Sequence, residues 1–285
     1  MEFIKGKKIS EEILKNLKRK IKKEKLDIGL AVVLVGEDEA SRIYTRLKNK
    51  AAEKVGINFF KREFGNKGDR NDLENRVIEK IKELNVDEKV SGIIVQLPLP
   101  EGLNARKIIN SIDPRKDADG FHPKNVKLFF KNKEKVWPVF PKAIIKMIES
   151  AGVRLFGKKA VIIANSEKFG EIMAEALKRK NIKAEYILAG NVKNNLHIIK
   201  QADIIVTACG IPGLVKGGMI KKGAVIIDGG IAKKGKKVWG DVDIESVKNI
   251  IGYVSPVPGG VGPVTVACLL ENVYILANRG KFKAN

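Results

Sequence analysis

The chain has 285 residues, 44% of them hydrophobic, enough for one large or two ordinary packed domains and too many for a disordered polypeptide. Its 55 basic residues against 33 acidic ones give a formal charge of +22. The lysines are scattered over helix faces and turns with no aromatic interleaving for base stacking, so the charge reads as a solvated surface rather than a nucleic-acid site.

In chain order, Ile13, Leu14, Leu17 and Ile21 have helical spacing behind an N-cap candidate, Ser10. A strand at Leu30 to Val35, a helix from Glu39 to Val55, a strand at Ile57 to Phe64, a helix at Asp72 to Leu84 and a strand at Gly92 to Leu97 follow. This βαβαβ order predicts a parallel sheet covered by helices. Periodicity lapses after Pro114, and Pro138 and Pro141 mark a linker ahead of a helix at Ala143 to Ser150. A second series has strands at Ala160 to Ile163, Ala184 to Leu188, Ile204 to Ala208 and Ala224 to Asp228, with a helix near Gly170 to Lys180, in Rossmann-like order. The expected fold class is therefore α/β with two domains and a ligand cleft between them. The apolar runs are strand-sized, well short of the roughly 20 residues of a membrane span. The opening MEFIKGKKIS has no apolar leader core, so a soluble cytoplasmic protein is expected.

Few residues are suited to chemistry. Cys209 and Cys268, and likewise His122 and His197, lack the spacing of a disulfide framework or a zinc site, and no metal is expected. Tyr44 and Lys48 are four apart and share a helix face, either as surface decoration or as a stacking ring beside a proton-moving amine. Gln96 in Val95-Gln-Leu-Pro-Leu-Pro100 either caps a strand or meets a ligand. Asp117 and Asp119, ahead of Gly120, form an Asx-rich turn or present a carboxylate to the N–H edge of a heterocycle. The turn Ala164-Asn165-Ser166 lacks a GxGxxG fingerprint, but its place before a helix suits a phosphate. Ser255-Pro-Val-Pro-Gly-Gly-Val-Gly-Pro-Val-Thr265 is a rigid loop, either a tight turn or a ligand wall, leading into a helix through Val266, Leu269, Leu270, Val273 and Leu276.

Together, Ala40-Ser-Arg-Ile-Tyr-Thr-Arg-Leu-Lys48, VQLPLP, Pro114 to Gly120, Gly157-Lys158, Gly240-Asp-Val-Asp243 and PVPGGVGPVT resemble the bifunctional methylenetetrahydrofolate dehydrogenase/methenyltetrahydrofolate cyclohydrolase family along nearly the whole chain. The resemblance implies an N-terminal folate domain of the amino acid dehydrogenase-like type at 1–120 and a Rossmann NAD(P)-binding domain at 138–262. It also implies a last helix at 263–280 packing back on the first domain, and a homodimer. By similarity Lys48 is catalytic, Tyr44 stacks on the folate, Gln96 tunes the lysine and Asp119 binds the pterin. Leu97, Pro98, Pro258, Gly259 and Gly260 border the substrate, and Ala164, Asn165, Ser166, Ala189 and Ile231 fall at the NADP or NAD site.

The departures from the family pattern gather on the cofactor side. Ala164-Asn165-Ser166 stands where the family has Gly-Arg-Ser, removing the arginine that pairs with a 2′-phosphate. Leu188 and Ala189 replace a His-Ser pair, Phe169-Gly-Glu-Ile172 replaces Val-Gly-x-Pro, Gly229 replaces a larger residue, and Val139-Phe140 replaces Cys-Thr. On the folate side, Ala118 replaces the valine between the two aspartates. The resemblance implies oxidation of 5,10-methylenetetrahydrofolate and hydrolysis of the methenyl product. The departures leave three alternatives for the first step: weak NADP use, NAD preference, or loss. A basic nucleic-acid-binding protein on a retired folate fold is the competing class, and a methanopterin in place of folate is a further variant.

Overall fold

The computed structural model describes residues 1–66, 68–235 and 237–278. The chain divides into two compact units, one of Glu11–Val139 with Val266–Asn285 and the other of Met1–Ser10 with Phe140–Thr265. In chain order the helices and strands are β1 (Glu2–Phe3), α1 (Gly6–Glu24), β2 (Gly29–Val35), α2 (Glu39–Val55), β3 (Asn58–Phe64), α3 (Arg70–Val86) and β4 (Gly92–Val95). Next come α4 (Ala105–Asn110), α5 (Pro123–Phe130), α6 (Val139–Ser150), β5 (Lys159–Ala164), α7 (Glu167–Lys178), β6 (Lys183–Leu188), α8 (Leu196–Ile199) and β7 (Ile204–Ala208). The last are β8 (Val225–Asp228), β9 (Ala232–Lys234), β10 (Lys237–Trp239), α9 (Ile244–Val247), β11 (Tyr253–Val254) and α10 (Val261–Ala277).

The unit of Glu11–Val139 and Val266–Asn285 is built on a parallel sheet of order β3-β2-β4. Central β2 is a continuous apolar run, Gly-Leu-Ala-Val-Val-Leu-Val, buried at every position, as a parallel strand covered on both faces requires. Leu73, Val77, Ile81 and Leu84 of α3 bury one helical stripe against Ala31, Val33, Ile93 and Val95. The start of α2 is fixed by Asp38, whose carboxylate accepts from the Ser41 N–H at 2.7 Å, and its end by Gly56 at φ 85°. Lys116 to Ala118 runs beside β4 as a further short parallel segment, with Ile93 N donating to Lys116 O at 2.7 Å and Ala118 N to Ile93 O at 3.2 Å. The buried Lys116 ammonium donates to Leu84 O and Asp87 O, neutralising the carbonyl end of α3.

In the unit of Met1–Ser10 and Phe140–Thr265 the sheet is six-stranded and parallel, of order β1-β11-β8-β7-β5-β6. Its direction of growth reverses at β5, whose neighbours are β6 on one side and β7 on the other. In such sheets the crevice at the carboxyl ends of those strands is where ligands bind. Helix α7 approaches β6 closely because it has Gly170 there: a Cβ at that position would lie 2.5 Å from the Tyr186 ring.

The structure corrects several expectations. Helix α1 begins at Gly6, so Ser10 is a buried position inside it and not its N-cap. Gly6 permits this because a Cβ there would sit 1.7 Å from the Gly260 carbonyl oxygen. The stretch between Pro114 and Pro138, expected to lack periodicity, contains α5, too short to show a pattern but capped by His122, whose Nδ1 accepts from Lys124 N at 3.1 Å. The first strand pairing, β1 with β11, escaped notice because two residues carry no period. Helix α10 starts at Val261, two residues before Pro263, and residues 279–280 of the expected last helix lie outside the described residues. Gly6→Ala should lower stability by about 1–3 kcal/mol, since the clash is with backbone that has little room to move, and a shifted denaturant midpoint at constant slope would show it.

Candidate active site

The amine at position 48 is the natural starting point. Lys48 lies on α2 one turn beyond Tyr44, and its Nζ donates to Gln96 Oε1 at 2.7 Å. Gln96 directly follows β4, where its own N–H still bonds Val33 O at 2.8 Å, so it sits on the carboxyl edge of the sheet. Its Nε2 donates to Leu97 O at 2.6 Å, which directs the amide oxygen to the lysine. Leu97 and Pro98 leave this edge with their side chains exposed. Burial holds the Lys48 amine below the usual lysine range, while the charge of Asp119 opposes that shift.

The two aspartates have different surroundings. Asp117 is fully buried and accepts from Gly120 N at 3.0 Å, His122 N at 2.8 Å and Asn125 Nδ2 at 2.9 Å, so it ties the turn together. Asp119 receives no hydrogen bond on its carboxylate among the described residues. The enclosure of that carboxylate pushes its pKa up to about 6; Lys48 counteracts the shift and Asp117 adds to it. Both carboxylates line a cavity of about 180 Å³ with Ile94, Val95, Leu97 and Phe121. Apolar walls around an unpaired acceptor suit a flat heterocycle that presents N–H groups. A more open depression of about 450 Å³ is edged by Asn104, Arg106 and Lys107, and no carboxylate among the described residues lines it.

Tyr44 is half-buried, and burial raises its hydroxyl above the usual range, so it stays a neutral phenol. On the same helix, Ser41 and Thr45 bury hydroxyls without a hydrogen-bond partner among the described residues. They were not read as site residues. The available signal was two hydroxyls at i, i+4 on a helix whose other face is charged. The structure thus brings Lys48 to Gln96 and sets both in the electrostatic field of Asp119.

In the other unit, the residues assigned by resemblance to the cofactor share one sheet edge. Ala164, Asn165 and Ser166 follow the end of β5, Ala189 follows β6, and Ile231 lies three residues beyond β8. Ser166 caps α7, its hydroxyl accepting from Phe169 N at 3.4 Å, and leaves the helix N-terminus facing the crevice. Asn165 Nδ2 donates to Cys209 O at 2.6 Å, joining the turn after β5 to the turn after β7. The close approach at Gly170 and this open helix end fit a dinucleotide pyrophosphate. The segment Leu188-Ala189-Gly190 at the end of β6 offers neither a carboxylate for a ribose hydroxyl nor a guanidinium for a 2′-phosphate.

Two further buried acids shape this edge. Asp241 accepts from Thr207 Oγ1, Cys209 N and Ile211 N at 2.6, 2.7 and 2.7 Å. Asp228 accepts from the N–H groups of Gly230, Asp241 and Val242, and burial, assisted by the Asp241 charge, pushes it up to about 6. The glycines around them are obligatory in steric terms, since a Cβ at Gly230 or Gly240 would meet a carboxylate oxygen of Asp241 or Asp228 at 2.1 or 2.0 Å. In the Pro/Gly loop, Ser255 Oγ accepts from Asp228 N at 2.8 Å, Gly259 has φ 100°, Pro258 and Gly259 are exposed, and Gly260 is buried. Among the described residues no group of three or more His, Cys, Asp or Glu side chains is arranged to hold a metal ion, and no helix is long and apolar enough to cross a membrane.

One unit with a lysine and glutamine at the carboxyl edge of a parallel sheet and an aspartate acting on the lysine, and a second unit of Rossmann type, define a two-domain α/β enzyme of the nucleotide-dependent dehydrogenase class. Residues 4–119 match the family model described as tetrahydrofolate dehydrogenase/cyclohydrolase, catalytic domain, and residues 138–281 match that family's NAD(P)-binding domain. The chain belongs to the tetrahydrofolate dehydrogenase/cyclohydrolase family. The bifunctional protein FolD of Methanococcoides burtonii is 40% identical over 274 residues, covering 96% of this chain and 94% of the relative. The FolD structure from Campylobacter jejuni matches with a TM-score of 0.89 at 37% identity, covering 98% of this chain and 99% of that one. The Trypanosoma brucei enzyme, solved with NADP cofactor and an inhibitor, matches with a TM-score of 0.90 at 30% identity over 97% of both chains.

Asp119→Asn tests the assignment of acidity. With Asp119 near 6, ligand affinity should fall as pH drops below about 6 and the acceptor is protonated. The asparagine variant should bind more weakly at pH 7.5 and lose that acid limb; an unchanged limb would place the titration on another group.

Proposed function

We propose that this enzyme oxidises 5,10-methylenetetrahydrofolate to the 5,10-methenyl cation with NAD(P) and hydrolyses that cation to 10-formyltetrahydrofolate. The observation that carries the reading is the Lys48 to Gln96 hydrogen bond, with the Asp119 charge acting on the same lysine, on a chain whose residues 4–119 and 138–281 match the two domains of the family. Asp119 accepts N–H groups of the pterin edge, and Tyr44 lies against its face. When bound, the nicotinamide supplies the acceptor for a hydride from the methylene carbon; Asn165, Ser166 and the start of α7 are the groups that hold the dinucleotide. In the hydrolytic step, water adds to the methenyl carbon and loses a proton to neutral Lys48. The bond from that carbon to N5 then breaks as N5 takes up a proton and the new hydroxyl loses its own, leaving the formyl group on N10. One proton is released overall. A lysine at its ordinary pKa would be almost wholly charged at neutral pH and a poor base, so its burial is functional.

The family alone supports the homodimer and the cytoplasmic location that complete this reading, and Leu97, Pro98, Pro258, Gly259 and Gly260 are taken as further substrate contacts on the same ground. Lys48→Ala should reduce hydrolysis of the methenyl substrate by about two to four orders of magnitude with an unchanged melting temperature. Hydrolysis retained in that variant would remove Lys48 from the role of base.

The tether of Asn165 to Cys209 O and the bare end of β6 favour a relaxed choice between the two nicotinamides. Calorimetric titration should give NAD and NADP dissociation constants within about tenfold of each other, because the 2′-phosphate gains no bidentate fork. Asn165→Arg should tighten NADP selectively. NADP binding more than about a hundredfold tighter than NAD in the unsubstituted protein would show that another cation serves the phosphate.

A further inference from the structure

The seat of Asp119 depends on a residue far along the chain. Asn272 of α10 is completely buried, and its side-chain Nδ2 donates to two carbonyls, Ala118 O at 2.9 Å and Trp137 O at 2.9 Å. Ala118 immediately precedes Asp119, and Trp137 lies two residues before Val139, whose N–H donates to Asp119 O at 3.0 Å. The amide therefore bridges both strands of backbone that fix Asp119. The next residue, Val273, completes the support: a Cβ on Gly92 would lie 3.0 Å from Ala118 Cβ and 3.1 Å from Val273 Cγ2, so Ala118 and Val273 close over the same point of β4. On its other side the segment is paired to Ile93.

We infer that Asn272 is a positioning residue for the folate site, holding the Asp119 carboxylate where it meets the pterin through the Ala118 and Trp137 carbonyls, without touching substrate itself. The reasoning is geometric. Both carbonyls are outside regular secondary structure, one donor group reaches both, and Asp119 has no hydrogen bond on its carboxylate among the described residues that would place it independently. Asp117 is held by its own three donors, so loss of the Asn272 amide frees Asp119 while the turn around Asp117 persists.

This inference rests on the folate reading above, and the experiment separates the two. Asn272→Ala and the milder Asn272→Ser, which keeps a donor too short to span both carbonyls, are compared with the unsubstituted enzyme in methenyl hydrolysis and in tetrahydrofolate binding. The expected result is a rise of about tenfold or more in KM and in the tetrahydrofolate dissociation constant, with a much smaller fall in kcat. The groups that face the Asp119 carboxylate are Lys48 on α2 and Asp117 on its own segment, and both remain. As Asp119 relaxes toward water, the acid limb of kcat/KM should move to lower pH. If Asn272→Ala does not fold, the same displacement in Asn272→Ser decides. A lowered melting temperature with KM and the acid limb unmoved in both variants would overturn the inference and leave Asn272 a purely structural residue. Failure of the unsubstituted protein to bind tetrahydrofolate would instead overturn the folate reading on which it stands.

Discussion

A buried amine survives at the carboxyl edge of β4 because Gln96 gives it a neutral acceptor. Had a carboxylate occupied that position at hydrogen-bond distance, the resulting ion pair would have pinned the lysine as ammonium and removed it as a base. An amide satisfies one ammonium proton without stabilising the charge to the same degree. The Asp119 charge acts on the same lysine from elsewhere in the site: burial depresses the amine and raises the acid, and the attraction between the two charges opposes both shifts. Much of the surrounding structure serves this balance. The fully buried β2 and β4 carry the edge, Asp38 and Gly56 fix the ends of α2, and the cavity beside Asp119 is lined by aliphatic side chains.

Both units also use buried carboxylates as organisers of irregular backbone, which separates structural acids from a functional one. Asp117, Asp228 and Asp241 each collect three donors, most of them backbone N–H groups of the turns they hold. Such a carboxylate compensates for its burial by hydrogen bonds, and neighbouring glycines make room for its oxygens. Asp119 differs, having no hydrogen bond on its carboxylate among the described residues, which leaves an acceptor open to a ligand. Number of donors, more than burial, distinguishes the two kinds of acid here.

The regular parts of the fold were legible because they obey simple periods. Helix α2 and strand β7 fall where spacing put them, and the other long elements differ by a few residues at their ends. What escaped was short or set by distant contacts: two-residue β1, eight-residue α5, and the early start of α1, which depends on a glycine facing Gly260. In the site, Tyr44, Lys48, Gln96 and Asp119 could be singled out as polar groups at strand ends or on one helix face. Asp117 could not be told from Asp119, since only three-dimensional hydrogen bonding separates them. Asn272 gave no sign, being one of three polar residues, with Thr265 and Glu271, in a largely apolar helix.

The uneven distance of the two units from the family pattern has a physical reason. On the folate side, the proposed chemistry depends on the pKa of one amine and the placement of one carboxylate, quantities that change sharply with any altered neighbour. The nearest change, Ala118 for valine, leaves a methyl group packed against Gly92 and the backbone bonds to Ile93 in place. On the cofactor side, the groups that the proposed reading sets against a dinucleotide are largely backbone: the first N–H groups of α7, and turns held by Asp228 and Asp241. Backbone donors persist through side-chain replacement so long as the turn keeps its shape, and here Asn165 helps keep it by bonding Cys209 O. On the proposed reading, the side chains of the family pattern that are absent at Asn165 and at the end of β6 are those that tell one nicotinamide from another. By the same reading, replacement there relaxes selectivity while preserving the means of binding, whereas an equivalent change at Lys48 or Gln96 removes the proposed chemistry.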